Sequence, residues 1–141
     1  MKDKKSILVL CTGNSARSQM AEGLLRHSVG DEYEVISAGT EPSLVRPEAI
    51  RVMAELGIDL SNHRSKSVDE FRDKKIDFVL TVCDNARENC PYFPAESKLI
   101  HHAFPDPAGA TGDDDTRDSA FREVRDLIRN YISEFLKEIS Q

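Results

Sequence analysis

The sequence predicts an α/β fold, a parallel sheet covered on both faces by helices. Two apolar runs, Ile7-Leu8-Val9-Leu10 and the Ile-Asp-Phe-Val-Leu-Thr-Val of residues 76–82, read as buried strands. Segments with apolar residues at helical spacing alternate with such runs along the chain. That alternation is the signature of βαβ units and a parallel sheet. No internal repeat and no composition break divides the chain, so residues 1–141 are expected to form one domain.

Each element can be justified in order. Residues 6–10 are a core strand. From Arg17 to about Val29, Met20, Ala21, Leu24 and Leu25 draw one apolar helical face, and Gly30 is a natural stop. Residues 34–37 form a short second strand that ends at Ala38-Gly39-Thr40. Pro47 opens a second helix carrying Ile50, Val52, Met53 and Leu56, closed by Gly57. Residues 67–72 fit one short helix, residues 76–82 a third strand and residues 98–101 a fourth. Residues 113–116 read as an acidic loop. From about Asp118 to Ile139, nine apolar positions from Phe121 onward trace a long amphipathic helix whose stripe is core packing.

Composition narrows the functional classes. The net charge is −6, which disfavours nucleic acid as a partner through general electrostatics. No apolar run approaches the ~20 residues of a membrane span, and the basic N-terminus leads directly into a strand without a signal-peptide core. A cytoplasmic, monomeric chain is expected. Three cysteines do not make a disulfide framework in such a compartment; they favour catalysis, redox cycling or a metal.

The most informative stretch is Cys11-Thr12-Gly13-Asn14-Ser15-Ala16-Arg17, a Cys-x5-Arg motif between a buried strand and a helix start. Strand, tight loop and helix N-terminus together make an oxyanion cradle, because loop N–H groups and the positive helix end converge. Thr12, Gly13, Asn14, Ser15, Ala16, Arg17 and Ser18 are the candidate oxyanion-binding residues. Arg17 supplies a planar fork that grips two oxygens. Gly13 is expected to take a backbone angle closed to other residues, and Asn14 tolerates left-handed geometry and can tie the loop back. Ser18 is placed to donate to the Cys11 sulfur. The cradle's field is expected to lower the Cys11 pKa and make it a thiolate at neutral pH. A buried structural cysteine is the plain alternative; the spacing to Arg17 and the strand–loop–helix context weigh against it.

Cys83 directly follows the third strand, so parallel-sheet geometry puts it at the same edge as Cys11. Cys90 comes seven residues later. In a regular helix that spacing separates Cα atoms by about 10.5 Å, whereas a disulfide needs roughly 4.4–6.8 Å. A Cys83–Cys90 bond therefore requires an irregular or unwinding segment, and Asn85, Asn89 and Pro91 make such a segment marginal. Inert thiols and a metal pair are the competing readings; the latter lacks zinc-like spacing and a nearby histidine. His101 and His102 read as packing or surface residues. Asp106, held between Pro105 and Pro107, is a candidate general acid at the ligand edge, with a turn aspartate as the alternative.

These motifs resemble the thioredoxin-coupled arsenate reductases, which share the fold of low-molecular-weight protein tyrosine phosphatases. The likeness runs from Leu10 through Gly23, then Ser37-Ala38-Gly39-Thr40, Gly57-Ile58-Asp59-Leu60-Ser61-Asn62-His63, Cys83 with Cys90-Pro91, and Asp106-Pro107-Ala108. It implies a four-stranded parallel sheet, low-molecular-weight tyrosine phosphatase-like, and a three-thiol relay. In that relay Cys11 attacks arsenate, Arg17 and the loop amides hold its oxygens, and Asp106 protonates the leaving oxygen. A Cys11–Cys83 disulfide and then a Cys83–Cys90 disulfide follow, the last reduced by thioredoxin, with no bound cofactor. Phosphate or sulfate would compete for the cradle. Related enzymes often carry another cysteine where this chain has Ala16. Many bind potassium through Asn14, Glu22, Ser37 and a carboxylate; the position aligned with that carboxylate holds Lys66, so no metal and no potassium dependence are expected. A phosphatase using Cys11, Arg17 and Asp106 alone is the alternative, although the mouth segment Thr40-Glu41-Pro42-Ser43-Leu44 offers no aromatic residue to stack a phenol ring. A non-catalytic redox partner of thioredoxin is a third reading, opposed by the complete cradle. A glutathione–glutaredoxin donor is the alternative to thioredoxin, and the Cys83/Cys90 pair favours the latter.

Overall fold

The computed structural model describes residues 4–71, 73–83 and 97–140. Four parallel strands, β1 (Lys5–Cys11), β2 (Tyr33–Gly39), β3 (Phe78–Thr81) and β4 (Lys98–His101), form one sheet in the order β2-β1-β3-β4. β1 lies in the interior, with Cys11 opposite Gly39 and Leu10 opposite Thr81. Its Ile7, Leu8, Val9 and Leu10 are fully buried, as an unbroken apolar run in a covered parallel sheet requires. The chain runs outward from β1 to β2 on one side and through β3 to β4 on the other. The strand order therefore reverses at the carboxyl end of β1, the switch point where open α/β sheets hold ligands.

Among the described residues three helices accompany the sheet: α1 (Arg17–Val29), α2 (Pro47–Ala54) and α3 (Asp114–Ile139). α1 ends at Gly30, whose φ of 56° is left-handed and open to glycine. α2 starts on Pro47 and is shorter than its apolar pattern, closing when Gly57, φ 76°, lets the Ile58 N–H reach the Met53 carbonyl. Residues 67–72 yield one 3-10 turn, Val68–Phe71. The expected acidic loop at 113–116 is instead the start of α3. Asp113 caps it, its Oδ1 accepting from the Thr116 N–H at 2.9 Å, and Asp114 and Asp115 face the positive helix end. Phe121, Ile128 and Phe135 of α3 complete the core. Among the described residues no helix is long and apolar enough to cross a membrane.

Candidate active site

Residues 11–17 leave β1 and return into α1, and their carbonyls reveal how the loop is held. Those of Cys11, Thr12, Gly13 and Ser15 accept from the backbone N–H groups of Thr40, Glu41, Ser43 and Arg46 at 2.8–3.1 Å. The Gly13 carbonyl also accepts from Ser65 Oγ at 2.8 Å, and that of Asn14 from Gln19 Nε2 at 3.1 Å. The Ala16 carbonyl enters the first turn of α1. In a planar trans peptide the N–H points opposite the preceding C=O. Carbonyls drawn outward along the whole loop therefore turn its N–H groups inward, toward one centre beside Cys11. The Thr12 N–H already donates to the Cys11 sulfur. The close approach of residues 39–46 demands glycine at 39, because a Cβ there would stand 2.5 Å from the Thr12 carbonyl oxygen and 2.9 Å from the Asn14 nitrogen.

The left-handed residue of the loop is Asn14, φ 47°, and not Gly13, whose backbone lies outside that region. Gly13 is small for another reason: a Cβ would meet the hydroxyls of Ser15 and Ser43 at 3.2 and 3.3 Å. Asn14 is fully buried and ties the loop down. Its Nδ2 donates to Ser18 Oγ at 2.8 Å and Ser37 Oγ at 2.9 Å; its Oδ1 accepts from Gln19 Nε2 at 3.0 Å and the Lys66 N–H at 2.8 Å. Ser18 Oγ is thus an acceptor for Asn14.

Cys11 and Cys83 meet. Both are buried free thiols, and the Cys83 side chain is hydrogen-bonded to Cys11. Thr12 Oγ1 lies 3.2 Å from Cys83 Sγ. The expected thiolate at Cys11 is corrected here. The Cys83 hydrogen bond, and after it burial, push the Cys11 thiol well above its ordinary value, against the opposing pull of the Arg17 guanidinium and the Thr12 N–H. The sequence places Cys83 at this edge; that it hydrogen-bonds Cys11 is a matter of packing. Cys90 and its segment lie outside the described residues, as does the question of how regular residues 84–90 are.

Arg17 is largely covered, its side chain 13% exposed, with Nη1 donating to the Phe104 carbonyl at 3.1 Å and Nη2 lying 3.7 Å from Asp106 Oδ2. Asp106 is half-exposed at the mouth and fixed by the Ala108 N–H, which donates to its Oδ1 at 2.9 Å. The structure therefore gathers Cys11, Arg17, Cys83 and Asp106 at one edge. His101 bonds Thr81 Oγ1 through Nδ1 at 2.7 Å, and His102 stacks on Tyr131 at 3.9 Å, both outside the cradle. Residues that the sequence reading missed are the brackets of the loop: Gln19, Ser43, Ser65, and the Phe104 carbonyl. Gln19 carried the one readable signal, a polar residue on a buried helical face.

Beside the loop, the nearly buried Glu22 carboxylate accepts from Ser37 Oγ and faces Arg26 Nη2 at 3.1 Å, His63 Nδ1 at 3.7 Å and Lys66 Nζ at 3.8 Å. Burial lowers the Lys66 ammonium from its usual value, with Glu22 pulling the other way. These residues do not fit a resident potassium ion. A cationic side chain stands where the charge would be, and Asn14 Oδ1 is already taken by two donors.

The strand–loop–helix cradle on a β2-β1-β3-β4 parallel sheet defines the class, and the chain belongs to the low molecular weight phosphotyrosine protein phosphatase family, whose profile matches residues 6–141. Within it, the chain is 45% identical to a protein of Halalkalibacterium halodurans named arsenate reductase, over 94% of this chain and 96% of that one. Among solved structures it resembles an arsenate reductase in an oxidized state, with a TM-score of 0.81, 29% identity, and 96% of this chain and 98% of the other covered. It also resembles an arsenate reductase in a phosphate-binding state, with a TM-score of 0.77, 29% identity and the same coverage.

Proposed function

We propose that this chain reduces arsenate to arsenite by a relay of Cys11, Cys83 and Cys90. The observation that carries the reading is the hydrogen-bonded contact of Cys83 with Cys11 at the foot of the cradle. A hydrolytic phosphatase needs one nucleophile; a second buried thiol touching the first suits sulfur–sulfur bond formation. Arsenate oxygens take the inward N–H groups of residues 12–17 and the Arg17 fork. The Cys11 sulfur attacks arsenic, an S–As bond forms and an As–O bond breaks. The oxygen leaves as water, taking protons from the Cys11 thiol and the Asp106 carboxyl.

Cys83 then attacks the Cys11 sulfur, its thiol proton passing to an oxygen of the departing arsenite. The S–S bond forms, the S–As bond breaks, and its electron pair stays on arsenic, which departs as arsenite. The two sulfurs are oxidised as arsenic goes from the pentavalent to the trivalent state. Cys90 attacks Cys83, freeing Cys11 and leaving a Cys83–Cys90 disulfide for a dithiol donor. Thioredoxin, a vicinal dithiol, is the donor this pair favours over glutathione and glutaredoxin. A cytoplasmic monomer accords with this reading. Phosphate and sulfate compete, and the shared cradle supports weak phosphatase activity through Cys11, Arg17 and Asp106.

The test is Cys90→Ser with arsenate and thioredoxin. One equivalent of arsenite per chain should form and cycling should stop. Sustained turnover by this variant would remove the relay, and its absence from the wild type under either donor would remove the activity.

A further inference from the structure

Arg17 takes its orientation from a backbone atom. Its Nη1 donates to the Phe104 carbonyl at 3.1 Å, which pins one end of the guanidinium and so sets the plane of the fork. That carbonyl lies just beyond the last backbone bonds that tie this segment to β3 and its extension. These are His102 N–H to the Thr81 carbonyl at 2.9 Å and Phe104 N–H to the Val82 carbonyl at 3.0 Å. Past the carbonyl stand Pro105 and Pro107, which have no N–H to donate. The hold on it is therefore completed by the Phe104 side chain. Phe104 is buried, and its ring meets the Tyr131 ring edge-on, centroids 5.9 Å apart and planes at 68°. His102 covers the pair, stacked on Tyr131 at 3.9 Å and tilted against Phe104 at 4.8 Å. Tyr131 rests in turn on the buried Phe135 of α3, centroids 6.2 Å apart. A helix distant in sequence thus reaches the oxyanion fork through one aromatic cluster and one carbonyl.

We propose that Tyr131 is a positioning residue for Arg17: its ring, packed between His102 and Phe104, fixes the Phe104 carbonyl and with it the guanidinium plane for oxyanion binding. The proposal rests on the reading of residues 11–17 as an oxyanion cradle. Tyr131 acts on the oxyanion only through Phe104 and Arg17. Without its ring, Phe104 loses its edge-on partner and His102 its stacking face. The carbonyl then samples several positions, and the oxyanion itself must order Arg17, which weakens binding. The ring makes these contacts, so the phenol oxygen is dispensable. Asp106 is fixed separately by the Ala108 N–H and keeps its place.

Inorganic phosphate binding, titrated by backbone amide NMR so that weak affinities are readable, tests this. Tyr131→Ala should bind about three- to tenfold more weakly, the loss expected for one or two aromatic contacts. Tyr131→Phe should bind like the wild type. Arg17→Lys keeps a cation but has no planar fork to orient, so adding Tyr131→Ala to it should lower affinity no further. Undiminished affinity of Tyr131→Ala, an equal loss in both backgrounds, or a loss in Tyr131→Phe as large as in Tyr131→Ala overturns the proposal. If Tyr131→Ala does not fold, Tyr131→Leu is measured in its place and the same outcomes decide. A tyrosine that only stabilises the core would lower the melting temperature and leave the phosphate affinity of the folded chain unchanged. Failure of the wild type to bind phosphate would remove the cradle reading, and this proposal with it.

Discussion

The contact between Cys11 and Cys83 makes a quantitative prediction about which thiol is held protonated. Cys83 is the largest cause pushing the Cys11 pKa up, so replacing it with alanine should bring that pKa down. A hydrogen bond involving a charged group contributes about 1.5–3 kcal/mol. At about 1.36 kcal/mol per pKa unit, the drop should be about one to two units. The thiolate fraction at neutral pH would rise about 10- to 100-fold, but a less basic thiolate is a poorer nucleophile, with a Brønsted slope of about 0.4–0.5. The net gain in alkylation rate is then about 3- to 16-fold. The assay is iodoacetamide modification of the Cys11 peptide, followed by mass spectrometry across pH, comparing Cys83→Ala/Cys90→Ser with Cys90→Ser. An unchanged or raised Cys11 pKa would refute the reasoning. It would mean that the Cys83 S–H donates to a Cys11 thiolate, so that the pair's first proton leaves Cys11.

Two further outcomes follow from other parts of the molecule. Glu55 is held by Arg122 and Arg125, hydrogen bonds that lower its pKa from the ordinary 4.5 to about 2. A depressed carboxylate stabilises the fold above its unfolded pKa and loses that contribution as pH falls through the folded one. The gap in melting temperature between wild type and Glu55→Gln should thus be full above about pH 5 and close toward about pH 2 in thermal scans; a gap independent of pH would count against the pairing. Gly39→Ala should cost about 1–3 kcal/mol in urea unfolding and weaken phosphate binding, because the new Cβ would press on the Thr12 carbonyl and the Asn14 nitrogen. Wild-type values for both would show that the loop gives way freely.

Much of this protein was readable in its sequence because the signals are local. The apolar run at 7–10 and the mostly apolar one at 76–82 read as strands of a covered sheet, and the Cys-x5-Arg spacing belongs to a loop between a strand and a helix. The three Asp at 113–115 misled as a loop because acidic residues also begin helices, and the cap geometry of Asp113 decides between the two. What no local signal could give was the company each group keeps. Fields at a helix N-terminus argue for a Cys11 thiolate; the neighbouring Cys83, 72 positions away in the chain, and burial reverse that direction. The inward set of the loop N–H groups depends on donors at 40, 41, 43, 46 and 65 that meet the loop only when β2 lies beside β1. The sequence by itself determined the class of chemistry, since residue type and spacing decide which group is a nucleophile and which a cation. Tertiary structure decided protonation, loop geometry and the counter-charge at Glu22, because these depend on distance and burial, which are set by packing.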